Sequence, residues 1–209
     1  MRLVKVTVLA VAALALAAAP ARAESLLSLF GLGGQPQQAT APEDYQAYAP
    51  QEAPLARETP TTTRELVADP TGAKPGTITI DTTERTLYLS LPNGQAWRYR
   101  VGVGREGFTW RGVRRIGRKE EWPSWTPPAA MLKRRPDLPR YMAGGEDNPL
   151  GARAMYLYAG PRDSGFRIHG SNEPWTIGEA VSSGCIRMLN NDVKDLYERV
   201  KVGTTVVVL

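Results

Sequence analysis

Alternation between apolar and polar positions is concentrated after residue 75. Thr77-Ile78-Thr79-Ile80 and Thr86 to Leu91 place apolar side chains at every second position, as does Gln95 to Val103 through Trp97, Tyr99 and Val101. A period of two argues for strands with one buried face. Pro92-Asn93-Gly94 separates the last two runs and predicts a hairpin turn, because Asn and Gly tolerate left-handed backbone. Two more strands are expected over residues 154–159 (AMYLYA) and 165–169 (GFRIH). Beyond Asn190 and Asn191, either suited to cap a helix, Val193, Leu196, Tyr197 and Val200 follow the i, i+3, i+4, i+7 spacing. Gly203 stops that helix before a last strand over residues 204–209. The Gly-, Arg- and Pro-rich middle, including Trp122 to Pro128 and Tyr141 to Gly145, is expected to form long ordered loops or a lid over a cleft. The predicted fold is mostly β, sandwich- or barrel-like, with a short C-terminal helix.

A different pattern opens the chain. Arg2 and Lys5 precede an apolar run from Val6 to Ala19, followed by Ala21-Arg22-Ala23. This is the layout of a secretory signal peptide, residues 1–23, and the run is shorter than the roughly 20 residues that span a bilayer. The mature chain is therefore expected to be exported to a periplasm or cell envelope, with no stable membrane anchor after cleavage. Residues 24–75 hold prolines at 36, 42, 50, 54, 60, 70 and 75 and no sustained period, which predicts a disordered spacer. That segment has three basic and seven acidic residues, whereas residues 76–209 have 20 basic and 14 acidic ones. The change of sign near Pro75 and Gly76 predicts a boundary, with one domain over residues 76–209.

Across 209 residues there is one Cys and one His. This excludes a disulfide framework and every multi-cysteine or multi-histidine metal site, so no metal is expected. Gly102-Val103-Gly104-Arg105-Glu106-Gly107 has the spacing of a dinucleotide-binding loop, but Phe108-Thr109-Trp110-Arg111-Gly112 after it has no helical period to hold a pyrophosphate. No cofactor is expected, and these glycines mark a strand end where the backbone turns. Glu120-Glu121 point to opposite faces of a strand and suit a solvated or salt-bridged pair better than a carboxylate dyad.

Cys185 and His169 lie 16 positions apart in IHGSNEPWTIGEAVSSGCIRM, residues 168–188. A thiol needs a base to become a strong nucleophile, and His169 is the only imidazole available. The two side chains are expected to face one cleft, within about one water of a hydrogen bond. The amides of Gly184 and Cys185 are candidate oxyanion donors. Arg187 suits a substrate carboxylate, the thiolate, or a structural salt bridge. Trp175 suits either a wall of the site or the core. A pKa below about 6.5 for Cys185 would favour an enzyme, and one near 8.5 an inert thiol in a binding module.

His169-Gly170-Ser171 followed by Ser183-Gly184-Cys185-Ile186-Arg187-Met188 resembles the signature of the YkuD-type L,D-transpeptidases, which remodel bacterial peptidoglycan. The hairpin opening and the C-terminal helix and strand are similar as well. Family members often have His where this chain has Ser183, which leaves the proton transfers to His169. The resemblance implies a β-rich transpeptidase fold over residues 76–209, with Cys185 as nucleophile and His169 as base and acid. It also implies oxyanion or substrate contacts from Gly170, Ser183, Gly184 and Arg187. The implied partners are peptidoglycan stem peptides, with a neighbouring stem, an envelope-protein lysine or water as acceptor. The basic excess, from Arg105 to Lys119 and at Lys133-Arg134-Arg135, suits carboxylate-rich stems better than nucleic acid in an exported protein. An L,D-carboxypeptidase, another cysteine acyl-transferase and a non-catalytic wall-binding module are the alternatives.

Overall fold

A computed structural model describes residues 60–209. The expected signal peptide and residues 24–59 of the expected spacer lie outside the described residues. The elements are β1 (Glu65–Ala68), β2 (Ile78–Asp81), β3 (Thr86–Ser90), β4 (Gln95–Arg100), β5 (Val103–Gly104), β6 (Gly112–Glu121), α1 (Ala129–Arg134), β7 (Arg153–Ala159), β8 (Arg162–His169), β9 (Ala180–Ser182), β10 (Ile186–Arg187), α2 (Asn190–Arg199) and β11 (Thr205–Val208). The fold is mostly β, as the alternating pattern predicts.

One sheet runs β1-β4-β3-β2-β11-β6-β7-β8-β10, and β5 and β9 form a separate parallel pair. The N-terminal meander closes through the Pro92–Gly94 turn, where Asn93 (φ 65°) and Gly94 (φ 69°) are both left-handed, as the hairpin signal requires. The last strand joins the two halves of the sheet. β11 pairs parallel with β2 and antiparallel with β6, burying Val206 and Val208. Ile78, Ile80, Leu87 and Leu89 line the core on one side, and Met155, Leu157 and Ile168 on the other. Val193 and Leu196 of α2 pack into the same core, each fully buried aliphatic side chain contributing about 1.5 to 3 kcal/mol.

Three elements depart from expectation. The ordered fold starts before Pro75: β1 pairs with β4, and the buried Asp192 of α2 accepts hydrogen bonds from the Thr63 amide (3.0 Å) and hydroxyl (2.7 Å). Composition marked this stretch as spacer, but its backbone and threonines are bound by the domain. The ten-residue β6 runs through part of the middle that was expected to be loop. Its sequence GVRRIGRKEE hides a strand because only Ile116 is buried and the register shifts between Ile116 and Arg118. Its cations are accommodated by aromatic rings: Arg118 lies 3.6 Å from the Tyr156 ring and Lys119 3.9 Å from that of Tyr197. Finally, α2 begins at Asn190 without a side-chain cap.

Candidate active site

His169 ends β8 and Arg187 ends β10, and these two strands run parallel with Ile186 opposite Ile168 and Arg187 opposite His169. Cys185 directly precedes β10, so it comes from the neighbouring strand, two residues back from the level of His169. Both side chains line one cleft of about 580 Å³. Part of its wall comes from the middle of the chain, where long ordered loops or a lid were expected. Trp125 and Met142 pair through reciprocal backbone bonds of 2.8 Å, α1 lies between them, and Trp125, Met131, Leu138 and Met142 face the cleft. Trp175 lies in a 3₁₀ turn, Pro174–Thr176, and does not line the cleft.

The imidazole is buried, and its Nδ1 lies 2.6 Å from the Gly170 carbonyl oxygen. A carbonyl only accepts, so Nδ1 carries the proton and Nε2 is left with its lone pair. Burial, with smaller contributions from the Arg187 and Arg167 cations, lowers the His169 pKa to about 3 and outweighs the opposing Gly170 bond. The imidazole is therefore neutral at physiological pH. Burial likewise pushes the half-buried Cys185 thiol up, against the opposing effects of the Arg167 and Arg187 cations and the Arg167 amide. Both shifts favour the uncharged pair of thiol and imidazole, from which a nucleophilic thiolate would form only by giving up the thiol proton.

The loop between β9 and β10 is closed by its own hydroxyl. Ser182 Oγ accepts from the Gly184 amide (3.1 Å) and donates to the Cys185 carbonyl (2.6 Å). The Gly184 amide, a candidate oxyanion donor from sequence, is thus engaged within the loop. Gly184 is required there for another reason. Its φ is +108°, and a β-carbon would lie 2.6 Å from the Phe166 ring. Phe166 stacks on Trp110 at 4.6 Å, and Trp110 Nε1 donates to the Gly184 carbonyl at 2.8 Å, so three residues fix the turn before the thiol. The Ser183 hydroxyl lines the cleft, with its oxygen buried and without a hydrogen-bond partner.

Arg187 donates to Glu173 at 2.8 Å, which realises the salt-bridge alternative, although both side chains remain on the cleft wall. Gly170 is buried behind His169. Glu120 accepts from Tyr156 Oη (2.9 Å) and pairs with Arg118, while Glu121 pairs with Arg153, so the adjacent carboxylates serve separate ion pairs. The glycines at 102–107 lead through β5 into a turn, without a helix. Ser182, Trp110, Phe166, Glu173 and Arg167 were not singled out from sequence. Trp110, Phe166, Glu173 and Arg167 act through contacts between distant segments, for which the chain carries no local pattern, whereas Ser182 acts within its own loop.

The sequence matches the YkuD family, described as the L,D-transpeptidase catalytic domain, over residues 75–208. It is 36% identical over 144 residues to the probable L,D-transpeptidase ErfK/SrfK of Escherichia coli K12, covering 63% of this chain and 43% of that relative. The chain thus spans under half the length of that protein. A solved Brucella melitensis structure described as a probable carnitine operon oxidoreductase caia is 44% identical, covering 80% of this chain and 99% of its own, with a TM-score of 0.48. The solved Ldtfm-avibactam carbamoyl enzyme is similar in fold, with a TM-score of 0.51, 20% identity and coverage of 66% of this chain and 49% of its own.

Proposed function

The chain belongs to the YkuD family of L,D-transpeptidase catalytic domains, and from that premise we propose that it is an exported cysteine acyl-transferase acting on peptidoglycan tetrapeptide stems. The observation that carries the reading is the joint placement of Cys185 and His169 in one cleft, with Nδ1 of His169 committed to the Gly170 carbonyl.

Cys185 Sγ attacks the carbonyl on the L-centre of diaminopimelate, and its proton passes to His169 Nε2. The neutral imidazole suits this role because its lone pair is available at physiological pH. The tetrahedral oxyanion is assigned to the Cys185 amide and the Ser183 hydroxyl, since the Gly184 amide is engaged by Ser182. Collapse breaks the bond to D-Ala, whose amine takes the proton from His169, and leaves a Cys185 thioester. An acceptor amine, such as the side-chain amine of a neighbouring diaminopimelate, then attacks the thioester. Its proton returns through His169, and the thiol is released with a 3-3 cross-link formed. A protein lysine as acceptor would instead attach that protein to the wall. Export rests on the N-terminal pattern of Arg2, Lys5, the apolar run and Ala21-Arg22-Ala23.

The test is intact-protein mass spectrometry of the chain with a disaccharide-tetrapeptide, beside Cys185→Ala. A mass increase equal to the stem less D-Ala, seen only with Cys185, is the expected result. No adduct and no released D-Ala, with protein and stem intact, would replace this reading with a non-catalytic wall-binding module.

A further inference from the structure

The sheet face flooring the cleft carries two cross-strand rows. In one, Arg118 of β6, Tyr156 of β7 and Arg167 of β8 lie level, and the register of β8 with β10 extends this row to Cys185. In the other, Glu120, Ala154, His169 and Arg187 lie level. Arg187, the cation that sequence places next to the thiol, is therefore level with the imidazole and held there by Glu173. The cation level with the thiol is Arg167.

Building on the transferase reading, we propose that Arg167 is the charge partner of the Cys185 thiolate, its backbone amide donating to the sulfur and its guanidinium supplying the positive charge. The guanidinium is fixed on three sides. It lies 4.8 Å from the centre of the Tyr156 ring, donates to the Gly165 carbonyl at 2.5 Å and stands 3.7 Å from Asp163. Only 26% of its side chain is exposed, so its field at the sulfur is less screened than that of a surface cation. Other charged groups surround the thiol, and Arg118, three strands along the same row, is paired with Glu120. Asp163 on β8 opposes the thiolate, and Arg187 on β10 favours it but is shared with Glu173. The neighbouring His169 is uncharged, and Arg135 on the lid is paired with Asp137. Arg167 also disfavours the imidazolium, so the cation that assists loss of the thiol proton opposes its arrival on His169.

Cys185 is the only cysteine, so the alkylation rate of the whole chain by iodoacetamide, followed from neutral to alkaline pH, reports this thiol alone. Arg167→Met is expected to slow alkylation at about pH 8 by about tenfold and to converge on the parent rate at high pH. Arg167→Lys restores most of the rate, and Arg187→Met slows it less. Asp163→Asn, which keeps an acceptor for the Gly165 amide (2.8 Å), is expected to speed alkylation, a sign that loss of packing next to the thiol does not share with Arg167→Met. Thermal unfolding of each variant verifies the fold. A parent-like pH profile for Arg167→Met, or a larger effect from Arg187→Met, overturns the assignment. No stem peptide enters this assay, so an absent acyl-enzyme would defeat the transferase reading while leaving these rates to judge Arg167.

Discussion

Asn190 occupies the space that a β-carbon on Gly170 would need: the side-chain oxygen of Asn190 would collide with it. That oxygen accepts the Ala152 amide at 2.9 Å and the Ser171 amide at 3.3 Å, and its amide nitrogen donates to the Ser171 carbonyl at 3.2 Å. The first residue of α2 thereby clamps both chain segments beside His169. Gly170→Ala forces Asn190 aside and moves the carbonyl that fixes the imidazole. Acyl-enzyme formation is expected to fall about 100-fold, since displacements near 1 Å have that scale of effect. Asn190→Ala should cost about 1 to 3 kcal/mol in urea unfolding through amides left unpaired. Parent-like acylation by folded Gly170→Ala would show that the clamp does not position the base.

Asn190 also marks the limit of what the sequence discloses. Its type and place suited a helix cap, but the carboxamide serves the loop behind His169, a contact across 38 positions to Ala152. Strands β2, β3, β4 and β8 and helix α2 were legible because each sets apolar positions in a regular period, and β7 because Ala154 to Leu157 form an unbroken buried run. β6 was not, because its cations hide a strand whose neighbours carry the aromatic rings. That Cys185 and His169 share one cleft was legible because each occurs once, beside a glycine signature. Arg167 was not, because its level with the thiol follows from the pairing of β8 with β10.

His169 should set a distinct pH dependence of stability. Its folded pKa is lowered from 6.5 to about 3, so the unfolded chain binds the proton first as pH falls. The contribution is fully present above about pH 6.5 and declines towards pH 3. Asp69, Asp137 and Asp195 have folded pKa values lowered from 3.8, so their contributions fade below that window. The melting temperature should therefore drop between about pH 6.5 and pH 4.5, and His169→Gln should flatten that slope. An equal slope in the variant would rule out the buried neutral imidazole.

Lys119 closes the end of α2. Its Nζ donates to the Tyr197 carbonyl at 2.6 Å and the Val200 carbonyl at 2.7 Å, where the helix dipole also favours a cation. Lys119→Met should lower unfolding free energy by about 1 to 3 kcal/mol, read by urea titration, while acyl-enzyme formation persists at a temperature where the variant is folded. An unchanged urea midpoint would show that water replaces this cap at no cost.

Asp192 tests where the folded unit begins. It is fully buried in the first turn of α2, where the helix dipole favours its charge, yet it accepts hydrogen bonds from Thr62 and Thr63, about 130 positions earlier in sequence. The Thr63 hydroxyl oxygen in turn accepts the Arg100 amide at 2.9 Å, so the carboxylate, Thr63 and the end of β4 form one chain of bonds that sets β1 against the sheet edge. Asp192→Ala removes every carboxylate bond in that chain and should cost about 2 to 3 kcal/mol, whereas Asp192→Asn, able to keep the acceptor for the Thr63 amide, should cost less. The decisive readout is hydrogen exchange at Glu65 and Val67, whose amides are in phase with that of Asp69 and face β4. If β1 is held through Asp192, their amides lose protection in Asp192→Ala under conditions where the core amides of Ile78 and Ile80 keep theirs. Uniform loss across both sets would make Asp192 part of the global core, and unchanged protection would make β1 independent of α2.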